Sequence, residues 1–561
     1  MANRSHYTSH KDIDPDEIFL DDKNIPDFDV QQFEGRIETP ISRSMIFILG
    51  SVFLLIGVLF LGRAGVLQLR QGTVYAAKSE QNRLEHQFLF PERGIILDRN
   101  GKQLAWNVPS TEDLGFSLRA YTEDPGFGHI LGFLHYPARD KQGVYYRTDY
   151  EADMGIESFY NDRLKGKKGL RIIETDALGN VISSNTIDPP IQGENLTLTL
   201  DERLQKKLYK TIDTVSRDKD YRGGAGAIMD IHTGELLALV SYPEFDPNIM
   251  TSGDDRAAIV AYNSDKGTPF LNRNIGGLYT PGSIVKPIYA LGGLNEGVIT
   301  PQTLILSTGS ISIPNPYFPD KESVFTDTAH GLFDVRGALE QSSNVFFYEV
   351  AGGYKGQKGL GIKNVEKYAR MFGYGSTTGI DLFGEAVGTI PNPEWKEKNF
   401  PGDAWRIGDT YFTGIGQYGV QITPLEALRE AATIASKGTV VTPHLWTNAA
   451  TSTSHIDIPV GYFDVVQEGM RRVAERGTAK ILNIPQVKIA AKSGTAELGV
   501  SKSRVNSWVI GFFPYDHPRY AFAIVMERGV KGNTTNASYV ASQFFQWMGS
   551  STPEYFKESS E

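Results

Sequence analysis

The sequence predicts a multidomain protein: a single N-terminal transmembrane helix, a mostly-β middle module, and an α/β (α+β) domain with a central antiparallel sheet flanked by helices. Three observations predict it. Met45–Leu61, MIFILGSVFLLIGVLFL, carries no charge. Residues 88–200 break into short strand-like runs divided by turn signals. From about Gly223, two strand runs, two helix candidates and three closing strand runs follow. The short connections among the strands favour antiparallel pairing.

Residues 1–43 hold ten acids and five bases and read as a disordered tail. The apolar run covers about 25 Å as a helix. Continued through GRAGVLQL to Leu69 it crosses a hydrocarbon core of about 30 Å, so 44–69 is read as the membrane span. A cleaved signal peptide wants a short basic leader, whereas 44 acid-rich residues precede Met45. Arg36 and Arg43 on one side balance Arg63 and Arg70 on the other, so charge does not orient the span. Residues 70–220 form the middle module. Its stretch RGIILDRNGKQLAW reads as a hairpin around Asn100-Gly101. NLTLTLDERLQKKLYKTI reads as a strand entering a helix capped by Asp201. The last domain is placed at 221–548, with a tail at 549–561. In it, GAGAIMDIHTGELLALVSYP is two strands around HTG, IVKPIYALGGLNEG a helix, and DVRGALEQSSNVFFYEVAGGY a second helix. VKIAAKSGTAEL, NSWVIGFFP and YAFAIVMERG are the closing strands.

The net charge of −10 gives no basic surplus for a nucleic-acid partner. The absence of cysteine removes disulfides, thiolate metal sites and cysteine catalysis. The ten histidines show no tight ligand spacing. His129 and His135, the nearest to a pair, read as loop or core residues, and neither metal nor cofactor is expected.

Three motifs fall in order in the last domain: Ser283-x-x-Lys286, Ser342-Ser343-Asn344 and Lys492-Ser493-Gly494-Thr495. A serine hydroxyl attacks a carbonyl only when a base takes its proton. Helical i, i+3 spacing puts Lys286 on the face of Ser283. Pro281-Gly282 ends the preceding segment, so Ser283 stands at a helix N-terminus, where the dipole favours negative charge. Lys286 serves as a base only with a lowered pKa, which burial and a second cation supply; Lys492 is the candidate cation. Ser342 and Asn344 can relay a proton and hold a substrate amide. A strand edge at Lys492–Thr495 offers backbone N–H groups to an extended peptide. The amides of Ser283 and Thr495 suit an oxyanion hole. A second Ser-x-x-Lys, Ser216–Lys219, sits in TVSRDKDYRGG and reads as a solvated loop.

On these motifs the chain resembles class B penicillin-binding proteins, the membrane-anchored peptidoglycan DD-transpeptidases, over residues 44–548. RGIILDRNG and GIESFYNDRLKGKKG are similar to the family's pedestal (dimerisation-like) domain, and GAIMDIHTGELLALVSYPEFDPN to its entry into the penicillin-binding domain. IPNPEWKEKNF and GDTYFTGIGQYGVQITPLE look most like the elongation-type branch, penicillin-binding protein 2. Tyr418 departs from that branch, in which a glycine commonly follows Gly-Ile-Gly-Gln.

The resemblance implies that Ser283 is acylated and Lys286 is its base. Ser342 and Asn344 line the cleft, Lys492, Ser493 and Thr495 hold the terminal carboxylate of the donor stem peptide, and Gly494 belongs to the same substrate-binding strand. It implies stem-peptide cross-linking during cell-wall elongation, covalent β-lactam binding, and a catalytic domain outside the cytoplasmic membrane. The partners it implies are a SEDS-type glycosyltransferase in the membrane and a shape-determining scaffold protein outside it. Two alternatives share the motifs: a serine β-lactamase or β-lactam sensor, and an inactive scaffold of the elongation complex.

Overall fold

The computed structural model describes residues 42–557 apart from 82–83, 111–113, 142–144, 176–180, 316–317 and 319. The acidic tail expected at 1–43 therefore lies, but for its last two residues, outside the described residues. Two compact units are present.

The first unit takes the described residues to His86 and from Ile172 to Asn185. Its α1, Arg43–Gly65, starts at Ser42, whose Oγ accepts the Met45 N–H at 3.2 Å. One π-type turn, Val66–Arg70, continues it. No side chain of α1 is buried. The 28 residues of Arg43–Arg70 are long and apolar enough to cross a membrane, at about 1.5 Å each. A helix at Gly72–Gln81 follows.

The second unit, Gln87–Arg171 with Thr186–Glu561, contains the rest. Its first part has a four-stranded sheet ordered Leu196–Thr197, Ile96–Leu97, Gln103–Val108, Leu118–Tyr121. The expected hairpin is there, with Gly101 at φ 83° in its turn. Arg93 Nε and Arg119 Nε reach Glu157 at 2.6 and 2.8 Å, all three buried. Burial opposes the Glu157 charge, but the two guanidinium groups outweigh it and hold its carboxyl below the usual range. Removing Glu157 strands two buried guanidinium groups, at a cost of about 3–5 kcal/mol.

The central sheet comprises β1 (Gly223–Asp230), β2 (Leu236–Tyr242), β3 (Ala490–Leu498), β4 (Arg504–Phe513) and β5 (Tyr520–Val530). It is antiparallel throughout, in the order β2-β1-β5-β4-β3, so β3 is an edge. The helices that matter here are α2 (Glu202–Asp218), α3 (Lys286–Asn295), α4 (Asn344–Gly352), α5 (Pro424–Ala435) and α6 (Ala537–Ser551). Strand alternation splits the core between the two faces. Ile228, Val509 and Phe522 pack with α2 and α6, whereas Ala227, Trp508 and Ala523 pack in the cluster of α3, α4 and α5.

Three expectations differ from what is found. The Ser216–Lys219 stretch is not a solvated loop. Leu204, Leu208, Ile212 and Val215 give α2 an apolar stripe at helical spacing that runs into this stretch, and Ser216 is buried in its last turn. Residues 334–352 are two helices, Val335–Glu340 and α4, rather than one. Asp334 caps the first through the Gly337 N–H at 2.8 Å, and Ser343 caps the second through the Phe346 N–H at 3.3 Å. Between them Ser342 adopts φ 56°. The tail read from 549 is packed as far as Phe556: Tyr555 OH donates to Asp201 Oδ2 at 2.8 Å, and the Phe556 ring meets Phe513 at 5.7 Å.

Candidate active site

Ser283 is half-buried in a 3₁₀ turn, Gly282–Val285, directly before α3. In a 3₁₀ turn residues i and i+3 eclipse, and the Lys286 N–H bonds Ser283 O. Ser283 and Lys286 thus share one edge of the helix start. The turn is locked to the loop at Gly416 and to the sheet. Gly282, at φ 60°, donates its N–H to Gly416 O at 2.9 Å, and Trp508 Nε1 donates to Thr280 O at 3.0 Å. Gly494 of β3 lies under the turn; a Cβ there would stand 2.8 Å from Pro281 O and 2.9 Å from Ile284 Cγ2.

Lys286 is fully buried. Its Nζ donates to Ser342 O at 2.7 Å and Asn344 Oδ1 at 2.8 Å, and lies 3.3 Å from Ser342 Oγ. Lys492 is equally buried on β3, and its Nζ donates to Ser342 Oγ and Ser493 O, each at 2.9 Å. Ser493 Oγ is 2.7 Å from Thr478 Oγ1, and Thr495 is exposed along the edge strand. The motifs thus converge: Ser342 stands between two lysines that are 206 positions apart.

Burial, reinforced by the Lys492 charge, pushes the Lys286 amine well below the ordinary lysine range, against a smaller upward pull from Asp327. Burial brings Lys492 down to about 7, with Glu430 acting the other way. An amine that sheds its proton near neutrality can act as a base, and one that retains it can hold an anion.

Residues outside the three motifs complete the site. Asp327, on the strand Glu322–Phe333, accepts Ser343 Oγ at 2.6 Å, the Val345 N–H at 2.9 Å and Ser307 Oγ at 3.1 Å on Oδ2. Its Oδ1 accepts the Ala329 N–H at 3.0 Å. This carboxylate fastens the Ser342–Asn344 break to the hairpin below it, and no motif in the sequence marks it. Thr478 is also unmarked. Tyr418 adopts φ 57°, the left-handed region that favours glycine. Its ring packs against Trp395 and Trp405 at 6.0 and 5.7 Å, contacts that offset the strained backbone.

The penicillin binding protein transpeptidase domain matches residues 224–546, and the penicillin-binding protein dimerisation domain matches 116–198. The first match alone spans more than half of the chain. The chain belongs to the class B penicillin-binding proteins. Its relatives within the family include the peptidoglycan D,D-transpeptidase MrdA of Escherichia coli K12, 30% identical over 88% of this chain and 92% of that one. MrdA of Acinetobacter baumannii is 27% identical over 94% and 89%. Among solved structures, Pseudomonas aeruginosa PBP2 in complex with WCK 5153 is similar with a TM-score of 0.67 and 29% identity, covering 84% of this chain and 98% of that one. Helicobacter pylori PBP2 in complex with MreC gives 0.70 and 26%, covering 83% and 99%. A chain from a peptidoglycan synthase complex gives 0.70 and 25%, covering 93% and 100%.

Proposed function

We propose that this class B penicillin-binding protein is a peptidoglycan D,D-transpeptidase of the MrdA type, with Ser283 as the acylated nucleophile. The observation that carries the assignment of roles is the joint hold of Lys286 and Lys492 on Ser342 beside the Ser283 turn. Neutral Lys286 takes the Ser283 Oγ proton as Oγ attacks the penultimate D-Ala carbonyl of a donor stem. The oxyanion lodges against the Ser283 and Thr495 amides. The C–N bond breaks, and a proton relayed through Ser342 leaves with the terminal D-Ala amine. An amine of a neighbouring stem then attacks the ester, its proton returns through the same relay, and Ser283 is released. Charged Lys492, with Ser493 and Thr495, holds the donor's terminal carboxylate, and Asn344 holds a stem amide. β-Lactams acylate the same Oγ.

The substrate lies outside the cytoplasmic membrane, so the residues after α1 are extracytoplasmic and α1 is the anchor, the one helix among the described residues long and apolar enough to span. The relatives bound to MreC and in a peptidoglycan synthase complex support a SEDS-type glycosyltransferase and a shape-determining scaffold as partners here. The test is covalent labelling by a fluorescent penicillin. Ser283→Ala abolishes it, and Ser216→Ala, a buried hydroxyl without a partner among the described residues, retains it. Labelling that survives Ser283→Ala overturns the assignment.

A further inference from the structure

Away from the acyl-transfer site, Asp220, Arg222, Lys266, Thr268, Arg504 and Arg528 line a cavity of about 660 Å³. Four cations face one carboxylate there, in a chain whose net charge is −10. Two of the cations are fixed in place. Arg222 Nε donates to Lys266 O at 2.8 Å and stands 3.7 Å from Glu527 Oε1. Arg504 Nη1 donates to Asp220 O at 3.0 Å and Arg528 O at 3.2 Å, and pairs with Asp220 Oδ2 at 2.8 Å. The charged heads of Lys266 and Arg528 are exposed and have no partner among the described residues. The backbone is strained at the same place. Asp220, Thr268 and Arg528 have φ of 54°, 54° and 55°, three of the nine non-glycine residues at positive φ among those described. Such strain persists only where surrounding structure enforces it, and it clusters at functional sites.

The cavity is connected to the reaction centre in two ways. Arg504 pairs with Leu498, six residues beyond Lys492 on the same edge strand, which is about 20 Å along β3. Glu527, beside Arg222, also accepts Arg273 Nε at 2.8 Å and Tyr279 OH at 3.5 Å, and Tyr279 precedes Ser283 by four residues. The direction of a bound stem follows from the proposed function, on which this inference rests. Its terminal carboxylate is at Ser493 and its reacting carbonyl at the Thr495 amide, so each earlier residue of an extended stem lies further along β3 toward Leu498. A stem residue upstream of the terminal D-Ala pair that bears a free carboxylate is thereby carried toward the cavity.

We propose that this cationic cavity is a second binding site, which takes stem carboxylates of the peptidoglycan strand whose donor peptide is engaged on β3. Lys266 and Arg528 supply the free charges, and Arg222 and Arg504 form the fixed wall.

The experiment uses full-length protein in detergent carrying Ser283→Ala, so that nothing turns over, with soluble uncross-linked glycan strands bearing pentapeptide stems as the probe. Lys266→Gln with Arg528→Asn removes both free charges, and asparagine tolerates the left-handed backbone. Strand affinity falls about tenfold, the loss expected when two charge-assisted contacts go. The same pair of substitutions placed on the Ser283 protein leaves penicillin labelling unchanged. The Ser283→Ala protein with its cavity intact gives an independent reading: amidating only the carboxylates upstream of the terminal D-Ala pair reproduces the loss, and removing the stems weakens binding at least as far. Unchanged affinity in the double variant, or equal affinity for amidated strands, overturns the inference and leaves the proposed function standing. Failure of penicillin to label Ser283 in the unsubstituted protein sinks the proposed function instead.

Discussion

Lys286 Nζ and Lys492 Nζ stand 3.3 and 2.9 Å from the same atom, Ser342 Oγ. A hydroxyl has one proton to give and two lone pairs to receive with. Two buried cations crowded on it repel, so the pair relaxes when one gives up its proton. Lys286, pushed well below the lysine range by burial and by Lys492, is the amine that does so. The pair predicts a bell-shaped pH profile for acylation by a penicillin. The rate rises as Lys286 becomes neutral, and in the free enzyme it falls above about 7 as Lys492 loses the charge that holds the carboxylate. Stopped-flow labelling measures this. A rate that climbs without a downturn to the ordinary lysine range would remove Lys492 from the binding role.

Ser342 itself is the next test. Ser342→Ala deletes the shared oxygen and leaves both amines in place. The expected loss in acylation rate is roughly 10²-fold, the typical worth of a positioned proton-transfer group. The protein should remain folded by circular dichroism. A variant that acylates at the parental rate rules out a relay through this hydroxyl.

Asp327 supports the break that carries Ser342. Asp327→Asn keeps the shape but puts an amide where Oδ2 accepts three donors. Losing these charge-assisted bonds costs about 1.5–3 kcal/mol, read as a lower Tm, and acylation slows as Ser342 and Asn344 shift. Burial works against the Asp327 charge, but the Ser343, Val345 and Ala329 bonds outweigh it and hold its carboxyl below the usual range. Its stabilising contribution is therefore present at neutral pH and lost as pH falls through the acid range. The Tm gap between parent and variant closes on acidification; a gap independent of pH refutes the charge argument.

The sequence revealed some of this and concealed the rest, for physical reasons. The three motifs are legible because each is short and locally signalled: a Pro-Gly break, a serine cap, a strand run. The sheet is legible because its strands are short, nearly continuous buried runs joined by short turns, β1 to β2 and β3 through β5. Asp327 is concealed because its partners are reached through hairpin register and a contact 16 to 18 positions away. The end of α2 is concealed because a polar string, SRDK, closes a helix whose apolar stripe begins twelve residues earlier, at Leu204. Tyr418 stands out in sequence as a departure from the family pattern, and its φ of 57° supplies the reason a glycine suits that position.

Gly494 tests the fit between the nucleophile's turn and the edge strand. A Cβ at 494 meets the Pro281 carbonyl oxygen at 2.8 Å and Ile284 Cγ2 at 2.9 Å, and a backbone oxygen cannot move aside as a side chain does. Gly494→Ala pushes the turn off β3. The displacement is on the order of tenths of an ångström, yet a misplacement of about 1 Å costs roughly 10² in rate. Penicillin acylation drops by at least tenfold, while Tm falls by only a few degrees, as for overpacking of about 1–3 kcal/mol. Parental acylation in this variant contradicts the requirement for close contact.

Glu430 lies beneath the site, fully buried on α5. Tyr374 OH donates to its Oε2, and its Oε1 has no partner among the described residues. Burial pushes its carboxyl well above the usual range, against the opposing effects of Tyr374 and the Lys492 charge. The unfolded chain ionises this group near the ordinary glutamate value, about 4.3. Stability is therefore full below that pH and declines as pH rises toward the folded value, because the unfolded state releases the proton first. Glu430→Gln keeps the shape and the Tyr374 contact but cannot ionise. Near pH 4 the two proteins should melt together, and the glutamine variant should gain in relative Tm as pH rises through neutrality. A glutamine variant that is less stable at every pH would instead mean that Glu430 is ionised and paired with Lys492. The substitution would then leave that ammonium group buried without its counter-charge.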